Sequence, residues 1–206
     1  MNDQNLRPDF RIIADWVEPG SRVLDLGCGD GALLAQLAQE KQATGYGIEI
    51  ADKHIATCID RGVNVVQSDL DKGLAEFDGE SFDYVILSMT LQAITHPDLL
   101  LDEMLRVGRE GIVTFPNFAH WSHRHQMGIK GTMPVSRTLP HRWYNTPNIH
   151  LCTLKDFDNL CMEKNIQILE KRALNHQHET SFGARLWPNL MGEIGMYRFQ
   201  RGPGAA

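Results

Sequence analysis

Hydrophobic positions along the chain alternate between two periods. Short apolar runs, typical of buried parallel strands, occur at SRVLDLG, TGYGIEI, VNVVQSD, FDYVILSM and GIVTF. Helical spacing of apolar residues occurs at 8–17, 32–40, 52–61 and 97–107, and Gly62 and Gly108 are natural stops for the last two of these helices. This alternation predicts an α/β fold with a doubly wound, mostly parallel sheet.

The alternation stops after the fifth strand. Residues 116–152 contain scattered prolines and glycines, several aromatic residues and no clear period. A helix opened by a Thr153–Asp156 capping box and two further strands, IQILEKR and GEIGMYRF, complete seven strands. We therefore predict one domain over residues 1–206 that carries a long insertion at 116–152, since structureless connections of this length are uncommon and usually functional.

Composition limits the classes of protein that fit this chain. Its 206 residues are 42% hydrophobic and 22% charged, and a net charge of −6 disfavours sequence-independent nucleic-acid binding. No apolar stretch approaches the roughly 20 residues that cross a bilayer, and the N-terminus has no secretion-signal pattern. The four cysteines form no CxxC pair, and the histidines have no acidic or cysteine partner at metal-ligand spacing. We expect a cytoplasmic protein with reduced thiols and no metal site.

A glycine-rich segment between the first strand and the next helix carries the strongest chemical signal. In VLDLGCGDG, Gly27, Gly29 and Gly31 would let a ligand approach backbone N–H groups near a helix N-terminus. Gly27, Gly29 and Ala32 also satisfy a G-x-G-x-x-A dinucleotide pattern, so the spacing alone does not decide the ligand. Asp25 would repel a pyrophosphate but can pair with a ligand ammonium group. This favours a cofactor with an amino acid end.

Further polar residues follow successive strands at the edge where such folds bind ligands. Glu49 ends the second strand and can accept hydrogen bonds from ribose hydroxyls, which fits both NAD and S-adenosylmethionine. Asp69 can accept the adenine amino group while Leu70 packs on the ring, and Ser88 can contact a methionine portion. Each of them alone is more simply a turn residue, and their joint placement is what predicts the site.

Residues 8–115 resemble the class I S-adenosylmethionine-dependent methyltransferases. The resemblance implies a Rossmann-like seven-stranded sheet and S-adenosylmethionine, or its product S-adenosylhomocysteine, as cofactor. The expected cofactor-binding residues are Asp25, Gly27, Cys28, Gly29, Gly31, Glu49, Ile50, Asp69, Leu70 and Ser88.

Catalytic residues are not visible in the sequence. Methyl transfer needs mainly alignment and sometimes a base, and His120, His150 and Tyr144 of the insertion are the base candidates. No N-P-P-Y-like motif follows the fourth strand, and no G-x-S-x-G nucleophile elbow occurs. The chain is therefore not itself an acyltransferase of the α/β-hydrolase type.

Longer motifs indicate a narrower group. TFPNFAHW, NTPNIHLCT and LWPNLMGEI, with the N-terminal RPDFRIIADWVEPG, resemble the MetW family of methionine biosynthesis over nearly the whole chain. That resemblance implies a methyltransferase-like protein that partners and activates the homoserine O-acyltransferase MetX. A methyltransferase acting on a small-molecule acceptor is the alternative, and whether the chain is itself an enzyme stays open.

The insertion lies within a stretch that contains no acidic residue. From residue 111 to 154 there is no Asp or Glu, while Arg124, Lys130, Arg137 and Arg142 are positive. One hypothesis is that this stretch docks an acidic partner surface through Trp121, Arg124, Trp143 and Tyr144, residue types enriched at interface centres. The other is a lid over the cofactor that attracts an anionic substrate. S-adenosylmethionine is an end product of the methionine pathway, so its binding to this chain could also adjust the activity of the acyltransferase to the amount of S-adenosylmethionine present.

Overall fold

The computed structural model describes residues 7–175 and 181–204. Helices and strands alternate through the first half of the chain, as the hydrophobic pattern predicts. The elements are α1 (Pro8–Trp16), β1 (Arg22–Leu26), α2 (Ala32–Lys41), β2 (Thr44–Glu49), α3 (Asp52–Asp60), β3 (Val65–Gln67), β4 (Phe82–Ser88), α4 (Pro97–Val107), β5 (Gly108–Pro116), α5 (Trp121–Gly128), α6 (Leu154–Glu163), β6 (Ile166–Leu174), α7 (Phe182–Leu186), α8 (Pro188–Met191) and β7 (Ile194–Arg201).

The strands form a seven-stranded sheet in the order β3-β2-β1-β4-β5-β7-β6. β1 pairs in parallel with β2 and β4, and β2 pairs in parallel with β3. β6 and β7 pair antiparallel, with an irregularity between Ile168 and Glu170. The predicted doubly wound, mostly parallel seven-stranded sheet is confirmed.

The chain divides into two compact units. The first is drawn from residues 1–88 and 96–112, and the second from residues 89–95 and 113–206. β5 therefore contributes to both. The expectation of a single domain over 1–206 stays a prediction.

The first unit has the apolar core of a parallel sheet. Four of the five β1 residues are buried, and Leu101 and Met104 of α4 are fully buried. Gly108 follows α4 where a side chain has no room, because a Cβ there would lie 2.4 Å from Cγ2 of Val85. Helix α1 ends at Trp16, one residue before the predicted boundary.

The second unit is organised around aromatic residues. Tyr197, Phe115, Phe157 and Phe199 are almost fully buried, and the rings of Phe157 and Tyr197 lie 4.5 Å apart between centroids. The single O–H of Tyr197 faces two acceptors, the Leu154 carbonyl oxygen and Oδ1 of Asp158, each 3.0 Å from the Tyr197 hydroxyl oxygen. Buried tyrosines usually need such a partner. The predicted capping box of Thr153 and Asp156 is present at the start of α6.

The insertion is irregular apart from α5, a helix that the sequence analysis did not predict. α5 buries one side chain, His123, whose Nδ1 lies 3.2 Å from the Asn117 carbonyl oxygen and whose Nε2 lies 2.9 Å from Oγ of Ser136. A helix held by one buried imidazole leaves no apolar period in the sequence, which explains why the pattern missed it.

Candidate cofactor site

The glycine loop, residues 27–31, joins β1 to α2. Gly27, Gly29 and Gly31 all have positive φ, a conformation that residues with a Cβ rarely adopt. The N–H groups of Gly27 and Cys28 both donate to the Ile48 carbonyl oxygen, at 2.8 and 3.0 Å. At Gly31 a Cβ would also lie 3.0 Å from Sγ of Cys58. The loop is therefore fixed tightly against β2 and α3.

A cavity of about 190 Å³ opens beside this loop. Five predicted cofactor residues line it: Asp25, Gly27, Cys28, Gly29 and Ser88. Five residues that were not predicted complete the lining: Arg7, Phe10, Asp30, Ala32 and Leu33. The carboxyl end of β1, the glycine loop, the end of β4 and the start of α1 thus contribute to one concave site.

Asp25 is the most perturbed carboxyl group of this cavity. It is 3% exposed, and within residues 7–175 and 181–204 no donor forms a hydrogen bond to its side chain. Burial raises its pKa to about 7, Arg7 opposes this rise, and Glu49 adds to it. A buried carboxylate without a partner is costly. Its position on the cavity wall suits a cationic ligand group that would supply the missing partner.

Glu49 holds the glycine loop in place. Its Oε2 accepts the Gly29 N–H at 2.9 Å, and its Oε1 accepts the N–H groups of Ile50 and Ala51 at 2.8 and 2.9 Å. His54 Nδ1 lies 3.5 Å from Oε2. A carboxylate has about four lone-pair sites, and backbone N–H groups occupy three of them, so one site remains on Oε2, the oxygen that also faces His54.

The remaining predicted cofactor residues do not line the cavity. Gly31 flanks α2, Ile50 is exposed beyond β2, and Leu70 begins a short 3-10 turn. Asp69 caps that turn by accepting the Asp71 N–H at 3.1 Å. Their contacts to an adenosyl group stay predictions.

Arg7 and Asp9 form a site feature that sequence reasoning missed. Asp9 is fully buried, although it lies in the first turn of α1. The Arg7 Nε lies 3.2 Å from Oδ1 of Asp9, its Nη2 bonds both Oδ2 of Asp9 and Oγ of Ser88, and its guanidinium carbon lies 4.8 Å from the Phe10 ring centroid. The RPDF motif was the available signal, but helix periodicity treats Arg7 and Asp9 as solvent-facing.

The cysteines nearest the loop are neutral thiols. Sγ of Cys28 and Sγ of Cys58 lie 3.8 Å apart, and burial is the main cause that raises both pKa values. Cys28, Cys58, Cys152 and Cys161 are all free. The expectation of reduced thiols stays a prediction.

The three base candidates differ in burial. His120 is buried with Nδ1 2.8 Å from Oγ of Ser122, and burial lowers its pKa. His150 is exposed, with Nε2 3.2 Å from the Thr95 carbonyl oxygen, and Tyr144 is 62% exposed. Among the described residues no group of three or more His, Cys, Asp or Glu side chains could hold a metal ion. No described helix is long and apolar enough to span a membrane.

The fold and the glycine-loop site define the class of protein. The structure matches an S-adenosylmethionine-dependent methyltransferase from Mesorhizobium loti with a TM-score of 0.68 and 18% identity, over 94% of this chain and 96% of that one. It also matches the [4+2]-cyclase SpnF with a TM-score of 0.67 and 18% identity, over 95% of this chain and 81% of that one. This is the Rossmann-like fold of class I S-adenosylmethionine-dependent methyltransferases.

Sequence comparison assigns the chain to one family within this fold class. The model for "Methionine biosynthesis protein MetW" matches residues 7–199, so the chain belongs to the MetW family. The chain is 35% identical, over 97% of its length, to the bifunctional methionine biosynthesis protein MetXA/MetW of Rhodopirellula baltica. It is 34% identical over 56% of its length to nocamycin O-methyltransferase of Saccharothrix syringae. The chain spans 34% of the length of the first relative and 47% of the second. The predicted MetW resemblance and a role in methionine biosynthesis are confirmed.

Proposed function

We propose that this chain binds S-adenosylmethionine or S-adenosylhomocysteine and activates the homoserine O-acyltransferase MetX as a partner subunit. The observation that carries the partnership is the R. baltica relative, whose name joins MetXA and MetW in one bifunctional protein. Two functions carried by one chain in one organism favour association of the separate chains in another.

The cavity beside the glycine loop supports the cofactor. Asp25, which has no hydrogen-bond donor among the described residues, offers its carboxylate to the ammonium of an amino acid end, and Ser88 lines the same cavity. Glu49 retains acceptor capacity for a ribose hydroxyl, while Asp69 and Leu70 would contact the adenine. Bound in this way, the cofactor would supply a sulfonium methyl group, or would serve only as a regulatory ligand.

The insertion supports the docking of a partner. It carries nine of the eighteen large hydrophobic side chains that are exposed among the described residues, including Ile129 at 76% and Trp143 at 74%. Exposed apolar patches of this kind mark interaction sites more often than scattered single residues do. Arg124, Lys130, Arg137 and Arg142 are exposed in a stretch without acids, so an acidic partner surface is the complementary one.

The four proposed anchors are available for such contact. Trp121, Arg124, Trp143 and Tyr144 are all exposed. Trp143 and Tyr144 meet edge to face, with centroids 5.7 Å apart, and the Nε of Arg124 donates to the Ala119 carbonyl oxygen at 2.6 Å. These contacts hold large side chains in one arrangement, which lowers the entropy that docking would cost.

The deciding experiment combines purified chain with purified MetX and measures homoserine acylation. Arg137 and Arg142 are the best residues for charge reversal, because within the described residues neither guanidinium forms a hydrogen bond or an ion pair; Arg142 uses only its backbone, which bonds Asn145. We expect R137E/R142E to weaken complex formation and activation at least tenfold while cofactor affinity is unchanged.

The matched control is R11E/K53E, which makes the same charge change at exposed positions on α1 and α3. It should activate MetX as the unaltered chain does. Equal activation by both double variants would remove docking through the insertion. No acceleration of MetX by the unaltered chain would remove the activating role itself.

S-adenosylmethionine is an end product of the methionine pathway, so its binding to this chain would adjust the activity of MetX to the amount of S-adenosylmethionine present. A coupling of about 1–3 kcal/mol between cofactor and partner would suffice, and thermodynamic linkage makes it reciprocal. Titration of S-adenosylmethionine into the chain with and without MetX tests this. Identical affinities would eliminate the regulatory role.

A methyltransferase acting on a small molecule is the second candidate. It is favoured by curated relatives that carry methyltransferase names, among them the ubiquinone biosynthesis O-methyltransferase of Hahella chejuensis at 29% identity over 61% of this chain. The fold alone does not decide, because SpnF shares it and is described as a cyclase. A screen of cell extract with methyl-labelled cofactor separates the candidates, since an activating subunit alone labels no acceptor.

A further inference from the structure

Arg7 lines the cavity beside the glycine loop, and only some of its guanidinium N–H groups form hydrogen bonds. A guanidinium has five N–H donors in a fixed planar fork. The Nε and Nη2 groups of Arg7 are engaged by Asp9 and Ser88. Within the part of the chain that the structure describes, Nη1 donates no hydrogen bond. Arg7 therefore lines the cavity with two donors that remain for a ligand.

Three contacts orient this guanidinium before any ligand arrives. Asp9 is fully buried and holds the side chain through two nitrogens, Ser88 binds it from the end of β4, and the Phe10 ring lies 4.8 Å from the guanidinium carbon. A fork fixed in this way loses little conformational entropy when it binds an anion, which is the advantage of arginine over lysine. The side chain is 42% exposed, so the remaining donors are accessible.

Arg7 and Asp25 place opposite charges on the wall of one cavity. Among the described residues no donor forms a hydrogen bond to the buried Asp25 carboxyl group, and the Nη1 group of Arg7 forms none either. The Arg7 charge is also close enough to lower the pKa of Asp25 against the effect of burial. A ligand that carries an ammonium and a carboxylate on one carbon atom matches both groups.

We propose that Arg7 binds the carboxylate of the cofactor's amino acid end through Nη1, while Asp25 accepts the ammonium. This assignment rests on the cofactor binding proposed above and makes Arg7 the residue that selects a complete amino acid end. Charge-assisted bonds between guanidinium and carboxylate are among the strongest in proteins, and they are directional. The cavity should therefore distinguish S-adenosylmethionine from analogues that keep the adenosyl sulfonium but lack the carboxylate.

The test compares two ligands on three proteins by isothermal titration calorimetry. The ligands are S-adenosylmethionine and decarboxylated S-adenosylmethionine, which differ only in the carboxylate. The proteins are the unaltered chain, R7M, and the control R11M, whose arginine is exposed on α1 and does not line the cavity. We expect R7M to weaken S-adenosylmethionine binding about 10- to 100-fold and decarboxylated ligand binding by a clearly smaller factor, which comes only from the higher pKa of Asp25 once the Arg7 charge is lost. R11M should change neither affinity.

Each other outcome has one meaning. If R7M weakens both ligands equally, or weakens neither, Arg7 does not bind the carboxylate and the assignment is wrong even though the cofactor site stands. If the unaltered chain binds neither ligand, the proposed cofactor function fails and this assignment fails with it. Should R7M lose the folded state, R7K keeps the charge without the fork and must still weaken S-adenosylmethionine more than the decarboxylated ligand.

Discussion

The glycine loop is held in place by its backbone hydrogen bonds, whereas the insertion exposes many of its large apolar side chains. Four of the five β1 residues are buried, as are Cys28 and Gly31 of the loop, and loop N–H groups bond the Ile48 carbonyl oxygen and the Glu49 carboxylate. The insertion is irregular apart from α5 and exposes nine large hydrophobic side chains, although it buries His123 and Leu139. The conformation of the glycine loop is fixed by contacts within its own unit, whereas the insertion leaves many large apolar side chains in solvent.

That difference fits the ligands that we propose for the two regions, a cofactor for the loop and a protein partner for the insertion. A small ligand needs groups fixed to within fractions of an ångström, and the loop supplies them through glycine conformations and a buried carboxylate. A protein partner needs area and complementary charge, and exposed aromatic residues beside arginines supply these. Substitutions should therefore damage cofactor binding in the first region and partner activation in the second.

The largest effect is expected from Asp25→Asn. The amide keeps the shape but loses the negative charge that would pair with the ligand ammonium, so S-adenosylmethionine affinity should fall about 10- to 150-fold in calorimetry. Stability of the unliganded protein at pH 8 should not fall, because Asn removes the cost of a buried charge. Asp15→Asn, at an exposed position of α1, is the matched control and should leave affinity unchanged. An affinity for D25N within twofold of the unaltered chain would contradict the site.

Gly47→Ala should act on the loop through packing. A Cβ at Gly47 would lie 2.3 Å from Sγ and 2.8 Å from Cβ of Cys28, and 3.3 Å from Cδ1 of Leu34. Overpacking of this kind costs about 1–3 kcal/mol of unfolding free energy, and it should also weaken cofactor binding because Cys28 belongs to the loop. Denaturant unfolding and calorimetry measure the two effects.

Gly128→Ala makes the same change in the insertion as a control. Gly128 ends α5, and a Cβ there would meet no atom within 4 Å. The more favourable helix propensity of alanine should stabilise the protein by about 0.5–1 kcal/mol. Destabilisation of equal size at both positions would show that the two regions are packed alike.

The pH dependence of cofactor affinity should belong to the loop and not to the insertion. Burial raises the pKa of Asp25 from 3.8 to about 7, and a ligand ammonium requires the ionised form. Affinity should therefore weaken as pH falls below about 7, approaching tenfold per pH unit, and D25N should remove this slope. In the unliganded protein the sign is opposite: the raised pKa favours the folded state at low pH, and this contribution is lost as pH rises from about 4 to about 7. A flat affinity profile from pH 5.5 to 7 for the unaltered chain would contradict the assignment.

The candidate site was predictable in part. The glycines, Asp25 and Ser88 lie at strand ends that the hydrophobic pattern locates, and in a parallel sheet those ends share one edge. Arg7 and Asp9 were not predictable, because they precede the first strand and Asp9 is buried against the usual preference of a carboxylate for solvent. The role of Glu49 in bonding Gly29 was also hidden, since the two residues are twenty positions apart.

The sequence by itself determined the strands, the order of helices between them and the loop that requires glycine. These features follow from local periodicity and backbone sterics, which neighbouring residues decide. Only the tertiary structure decided which side chains share the cavity beside the glycine loop, that Asp25 lies there with no hydrogen-bond donor among the described residues, and that Arg7 lines the same cavity. Those properties depend on long-range packing and on the exclusion of water from particular carboxylates, and no short stretch of sequence encodes them.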